Sequence, residues 1–169
     1  RVLPLISSRG CYHGRCAFCS AGYGGARRVE TLPPEETVRR MLALRERYGA
    51  RHIWFADEAI APASLRGMAE RLSACGAPLA WAAYGRMDRA IDAPLLRTLS
   101  EAGCCMLLYG LESASPRVVE AMRKGISVPE MDRVLRQGAA VGLWNHVFFF
   151  FGFPGETMAD AQATVDFLY

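Results

Sequence analysis

The chain has 169 residues, 51% of them apolar and 22% charged, a balance that excludes a disordered tail or low-complexity linker and sets the expectation at one folded domain. Six cysteines fall well short of the roughly 8–10% that marks a disulfide scaffold, and no apolar run approaches the roughly 18 residues that span a bilayer. Twenty Lys+Arg against 17 Asp+Glu leave a net charge of +3, too weak and dispersed to indicate a nucleic-acid partner.

The first residues, Val2-Leu3-Pro4-Leu5-Ile6, read as a strand with no initiator Met before it, and the last, Ala161 to Tyr169, read as a helix that runs off the end. The expectation is a domain, residues 1–169, excised from a longer protein, with its final strand and flanking domains cut away and no leader visible to set localisation. Between the ends, Ile53-Trp54-Phe55, Leu79 to Tyr84, Met106-Leu107-Leu108-Tyr109 and Val147 to Phe151 are continuous apolar runs, as strands buried on both faces are. Val38, Met41, Leu42 and Tyr48 follow helical spacing, as do Leu65, Met68, Ala69 and Leu72, and then Leu95, Leu96 and Leu99. Each helix is followed by a glycine just before the next strand, at Gly49, Gly76, Gly103 and Gly142, where a left-handed residue closes the helix. The first two of these intervals are equal, one βα unit each. The third is longer and accommodates a second helical segment, with helix starts at Ser115-Pro116 and at the capping box Ser127…Glu130.

Five βα units with buried strands mean a parallel α/β sheet with right-handed crossovers. Their length falls short of the roughly 250 residues of a closed eight-unit barrel, leaving a partial barrel or an open doubly wound sheet. In both, ligands bind at the carboxyl ends of the strands. That rim carries the cysteine loop after the first strand, Asp57 and Glu58 after the second, Arg86 and Asp88 after the third, Glu112 and Ser113 after the fourth, and Gly152-Phe153-Pro154-Gly155-Glu156-Thr157 after the fifth.

Cys11, Cys16 and Cys19 lie within nine positions, where uniform scatter would put about 0.3 cysteines. The C-x4-C-x2-C loop can converge three thiolates on one metal centre, and soft sulfur ligands select zinc, copper(I) or an iron–sulfur cluster. Structural zinc takes four protein ligands; His13 sits inside the loop, poorly placed for the fourth. Cys75, Cys104 and Cys105 lie by the helix-ending glycines at the opposite end of the sheet and read as small buried residues. Three ligands and a vacancy fit a [4Fe–4S] cluster with one iron open to a cofactor; a structural zinc or three unrelated thiols is the plain alternative.

Taken with Phe18 just before the last cysteine, with Tyr109-Gly110-Leu111-Glu112-Ser113, with Met122-Arg123-Lys124-Gly125 and with Phe151 to Thr157, this loop resembles the radical SAM superfamily, in its Elp3/MiaB/NifB-type branch. The usual family spacing is C-x3-C-x2-C, so the first gap here is one residue longer. The resemblance covers essentially the whole chain and implies a partial (βα)6-type TIM barrel, of which about five βα units are present. It implies that Cys11, Cys16 and Cys19 hold a [4Fe–4S] cluster and that S-adenosylmethionine chelates the open iron, to be cleaved reductively to methionine and a 5′-deoxyadenosyl radical. Asp57 or Glu58 would meet the methionine ammonium, Arg86 its carboxylate, Glu112 with Ser113 the ribose hydroxyls, and Gly152 and Phe18 the adenine.

The resemblance further implies a reductant such as flavodoxin or ferredoxin, a cobalamin carried on a separate domain, and methylation or rearrangement of a small molecule or peptide. Other readings are a methylthiotransferase acting on tRNA or protein, and a non-catalytic iron–sulfur or metal-binding module. No residue is singled out as catalytic, and an oxygen-labile cluster points to the cytoplasm. Duller readings stand beside these. Arg86 and Asp88 would form a surface ion pair, Glu156 with Thr157 would cap the last helix, Phe148 to Phe151 would be core, and His52 and His146 would be structural residues near the strand starts.

Overall fold

The computed structural model describes residues 1–19, 29–77 and 79–169. Their elements run β1 (Val2–Leu5), β2 (Ser8–Arg9), β3 (Glu30–Thr31), α1 (Pro34–Tyr48), β4 (His52–Phe55), α2 (Pro62–Cys75), β5 (Ala80–Gly85), α3 (Ala93–Glu101), β6 (Cys104–Glu112), α4 (Pro116–Ala121), α5 (Val128–Ala140), β7 (Trp144–Phe149) and α6 (Met158–Leu168). Five strands pair in the order β1-β4-β5-β6-β7, every neighbour parallel. The chain thus moves one way across the sheet without the reversal of strand order that defines a doubly wound fold.

The helices decide the architecture. Val38 and Met41 of α1, Leu65, Met68 and Leu72 of α2, Leu95, Leu96 and Leu99 of α3, and Met131 and Val134 of α5 share one core with Ile53, Phe55, Trp81, Ala83, Leu107 and Tyr109 of the sheet. α1 packs on α2, α2 on α3 and α3 on α5, so these helices form one layer over one face. That is the outer wall of a partial barrel, the alternative the hydrophobic pattern left open. Of the helix starts expected from the sequence, Pro116 opens α4, although the Ser115 side chain makes no cap hydrogen bond there. Pro34 opens α1 with Glu35 and Glu36 in its first turn and Arg45 and Arg47 in its last, each sign facing the helix-dipole end that favours it. Ser127 and Glu130 form a reciprocal capping box on α5.

Three expectations need correction. Phe148 to Phe151 are not core: Phe148, on the inner, concave side of β7 with no helix over it, is 40% exposed, Phe149 on the other face is 44% exposed, and Phe151, beyond the strand end, is 50% exposed. Cys75 and Cys105 are exposed and only Cys104 of the three is buried, since the pleat of β6 sends the adjacent Cys104 and Cys105 to opposite faces of the sheet. The short antiparallel pair β2–β3 has no hydrophobic signature and was not expected.

The glycines that close the units all have positive φ, but they differ in what surrounds them. At Gly103 (φ +86) an added Cβ would press on the Leu79 carbonyl, while at Gly76 (φ +59) it would meet open space. Gly103→Ala is therefore expected to cost about 2 kcal/mol or more and Gly76→Ala about 1 kcal/mol, read as unfolding free energies in urea; equal costs would contradict this account of the punctuation.

Candidate cofactor site at the mouth of the barrel

The cysteine loop leaves β1 through a buried polar knot. Asp57, 3% exposed, accepts the Ser7 backbone N–H at 3.1 Å, the Ser8 backbone N–H, and the hydroxyls of Ser7 and Ser8 at 2.8 and 2.7 Å. A buried carboxylate is tolerable only with such a donor set. All four donors reach its Oδ1, with Oδ2 sharing the Ser7 N–H, so the carboxylate aims the chain into the loop. Glu58, beside it, is exposed and accepts the Gly10 backbone N–H at 3.1 Å.

Between Gly10 and Cys19 the loop forms no helix or strand and is held by the rims of the other strands. Beyond β5, Asp88 accepts the Tyr12 hydroxyl at 2.8 Å, and the Arg86 guanidinium lies 5.8 Å from the Tyr12 ring centroid. Beyond β6, the Ala17 N–H donates to Met122 O at 2.9 Å, His13 Nε2 lies 2.8 Å from Arg123 O, and Arg86 donates to Lys124 O. A Cβ on Gly125 would collide with the His13 ring at 2.8 Å. Beyond β7, Phe150 meets Phe18 edge-on at 5.4 Å. Arg86 and Asp88 are half-buried anchors of this loop, not the surface ion pair that was the duller expectation.

Sequence reasoning missed two members of the site. The first is His13, dismissed as a ligand, which ties the loop to the turn after α4. The second is Lys124, whose only signal was the Met122-Arg123-Lys124-Gly125 motif. Lys124 is 4% exposed, with Nζ 3.6 Å from Glu112 Oε1 and 5.6 Å from the Phe18 ring centroid. Burial pulls the Lys124 ammonium's pKa down, and the Glu112 and Cys16 charges oppose that fall. Burial likewise pushes the Glu112 carboxyl up, with Lys124 working against it. Glu112 and Arg123 are also the two described non-glycine residues with left-handed backbone, at φ 65 and 54, so both flanks of this pair sit in a sparsely populated conformation.

The remaining expected residues are dispersed. Ser113 is fully buried, its hydroxyl 3.2 Å from that of Thr164 and accepting the Ser115 N–H at 3.1 Å, so it locks the loop after β6 onto α6. Gly152 is exposed (φ +87) and donates its N–H to Glu156. Glu156 thereby closes its own turn, with its other oxygen buried and unpartnered. The cap of α6 is Thr157 with Asp160, so the capping role expected for Glu156 with Thr157 belongs to Thr157 alone.

Cys11, Cys16 and Cys19 are free and half-buried. Among the described residues, no three His, Cys, Asp or Glu side chains are drawn together as ligands of a single ion. Burial pushes the Cys16 thiol up while Lys124 and Arg86 pull it back. A soft, all-thiol donor set beside two buried or half-buried cations fits the thiolates of an iron–sulfur cluster.

The radical SAM superfamily model matches residues 5–168. The chain belongs to this superfamily. The [4Fe–4S] cluster and S-adenosylmethionine are accordingly the cofactors of the site. The chain is 28% identical over 165 residues to the uncharacterized methyltransferase PH0819 of Pyrococcus horikoshii, covering 96% of this chain and 36% of that protein. It is 26% identical to the cytidylyl-2-hydroxyethylphosphonate methyltransferase of Streptomyces wedmorensis, covering 99% and 33%. Among solved structures it superposes with a TM-score of 0.83 on the radical S-adenosylmethionine methyltransferase TsrM from Kitasatospora setae, which has cobalamin and a [4Fe–4S] cluster bound; identity is 23%, covering 98% of this chain and 31% of that one. The fold is thus the partial barrel of radical SAM proteins, and the chain spans about a third of the length of the curated relatives it matches.

The knot at Asp57 yields a prediction specific to this radical SAM core. Asp57→Ala strands buried N–H and O–H donors and is expected to cost about 3 kcal/mol in urea unfolding, whereas Glu58→Ala, at the surface, is expected to cost about 0.5 kcal/mol or less. Comparable losses would show that Asp57 is not the tether.

Proposed function

We propose that this chain is the cofactor-binding core of a radical SAM methyltransferase that works with cobalamin carried on another domain. The observation behind this reading is the cysteine loop itself: three thiols held over the mouth by anchors from the other strands' rims, with buried charge of both signs beside them. The methyltransferases among its relatives support methyl transfer over methylthiolation as the outcome.

When bound, the reduced cluster supplies the electron that cleaves S-adenosylmethionine. The chain's own residues bind and orient. Of the two acidic residues after β4, Asp57 is committed to Ser7 and Ser8, so Glu58, with one oxygen on Gly10 N–H, is the carboxylate left for the methionine ammonium. Arg86 and Lys124 bring positive charge to the same place and suit the methionine carboxylate. Glu112, fixed by Lys124, accepts from ribose hydroxyls, while Phe18 and Gly152 border the adenine. Phe18 and Phe150 pack edge-on at the cluster side of the mouth. The electron donor is a small reductant such as flavodoxin or ferredoxin. No described helix is long and apolar enough to cross a membrane, and an oxygen-labile cluster fits the reducing cytoplasm.

Anaerobic reconstitution of the full-length protein with iron and sulfide, followed by a reductant and S-adenosylmethionine, tests this. The expected result is the broad visible absorption of an iron–sulfur cluster and release of cleavage or methyl-transfer products of S-adenosylmethionine. Cys16→Ala is expected to abolish both. A wild-type protein that assembles no cluster, or one whose cluster leaves S-adenosylmethionine intact, would overturn the reading.

A further inference from the structure

The concave face of the sheet is lined by rings. Trp54 and Tyr84 meet edge-on at 6.1 Å between centroids, Tyr84 and Phe148 lie nearly parallel at 6.0 Å with 8° between their planes, and His146 leans on Phe148 at 4.7 Å. Leu108 stands between Tyr84 and His146 in the strand register and is only 2% exposed, so the rings close over it. Phe148 itself remains 40% and Trp144, four residues earlier on the same side of β7, 68% exposed. Charge is nearly absent here. The five strands of the sheet contain one ionised side chain, Glu112, and it stands at the mouth end of β6. The floor is continuous with the cofactor site, because two residues after Phe148 the chain reaches Phe150, which packs on Phe18 of the cysteine loop.

We propose that this aromatic ladder is the substrate floor of the enzyme and that it selects a flat, conjugated substrate. The inference rests on the radical SAM reading of the site and adds the substrate's chemical class to it. An uncharged floor gives nothing to hold a phosphate, a carboxylate or an ammonium away from the mouth. Aliphatic side chains would serve an aliphatic substrate equally well, whereas aromatic faces favour another ring system through offset stacking and edge contacts. The stacked Tyr84 and Phe148 set one common ring orientation that a planar substrate can continue, and His146 adds a ring nitrogen beside Phe148. Tyr84 and Phe148 are specificity-determining residues on this account; the cofactors are held elsewhere, by the loop and the rim.

The test uses the full-length protein and a matched pair of probes. Naphthalene-2-carboxylate and decahydronaphthalene-2-carboxylate share charge and carbon skeleton but differ in planarity. The wild-type protein is expected to bind the naphthalene compound about tenfold more tightly, measured by calorimetry. Phe148→Leu keeps the floor apolar and is expected to erase that preference, while Phe148→Tyr retains it. Equal binding of the two probes by the wild type, binding of neither, or an undiminished preference in Phe148→Leu would overturn the proposal. The wild-type comparison holds whether or not the leucine variant folds. Probe binding needs no cleavage of S-adenosylmethionine, so failure of the aromatic floor and failure of the radical SAM chemistry are separate results.

Discussion

The site depends on a loop that cannot hold itself. Between Gly10 and Cys19 there is no helix and no strand, and the turn at its end is closed by the Cys19 N–H on Cys16 O. Its shape is imposed from outside: Asp57 and Glu58 at its root, Asp88 on Tyr12, Met122 and Arg123 on Ala17 and His13, and Phe150 on Phe18. Each anchor follows a different strand. The parallel sheet therefore acts as a frame whose strand ends meet on one rim, and three thiols are placed where a single loop could not keep them.

This constraint explains where polar groups are buried. A carboxylate or an ammonium inside a protein is costly unless paired, yet Asp57, Lys124 and Ser113 are all buried. Each is tied to a segment that must not move: Asp57 to the start of the loop, Lys124 through Glu112 and the Arg86 contact to the turn beside Cys16, Ser113 to α6. The left-handed backbone at Glu112 and Arg123 belongs to the same economy, since strain of this kind persists only where the surrounding structure enforces it.

Much of the fold was legible in the sequence because βα units leave periodic marks. The glycines at 49, 76, 103 and 142, the capping box at Ser127 and the helix start at Pro116 all act as expected. The three cysteines were legible for another reason: their spacing has no use in packing. What the sequence did not disclose lies where side chains from distant segments meet. Nothing local distinguishes Asp57, locked onto Ser7 and Ser8, from Glu58, left open beside it, and nothing local buries Lys124. The same limit misplaced Phe148 to Phe151. An apolar run reads as core whether its cover is a helix or an open concavity, and only the one-sided helix layer shows that the inner face of β7 is uncovered.

In the function proposed above, Cys11, Cys16 and Cys19 would hold the cluster and leave one iron open to S-adenosylmethionine. Mössbauer spectroscopy of the full-length protein, reconstituted with isotopically enriched iron and recorded with and without S-adenosylmethionine, addresses this directly. The predicted result is that one iron site alone changes its isomer shift on addition, and that Cys11→Ala, Cys16→Ala or Cys19→Ala each prevents the cluster from forming. A spectrum that S-adenosylmethionine leaves unchanged, or a cluster that survives loss of one of these cysteines, would contradict it.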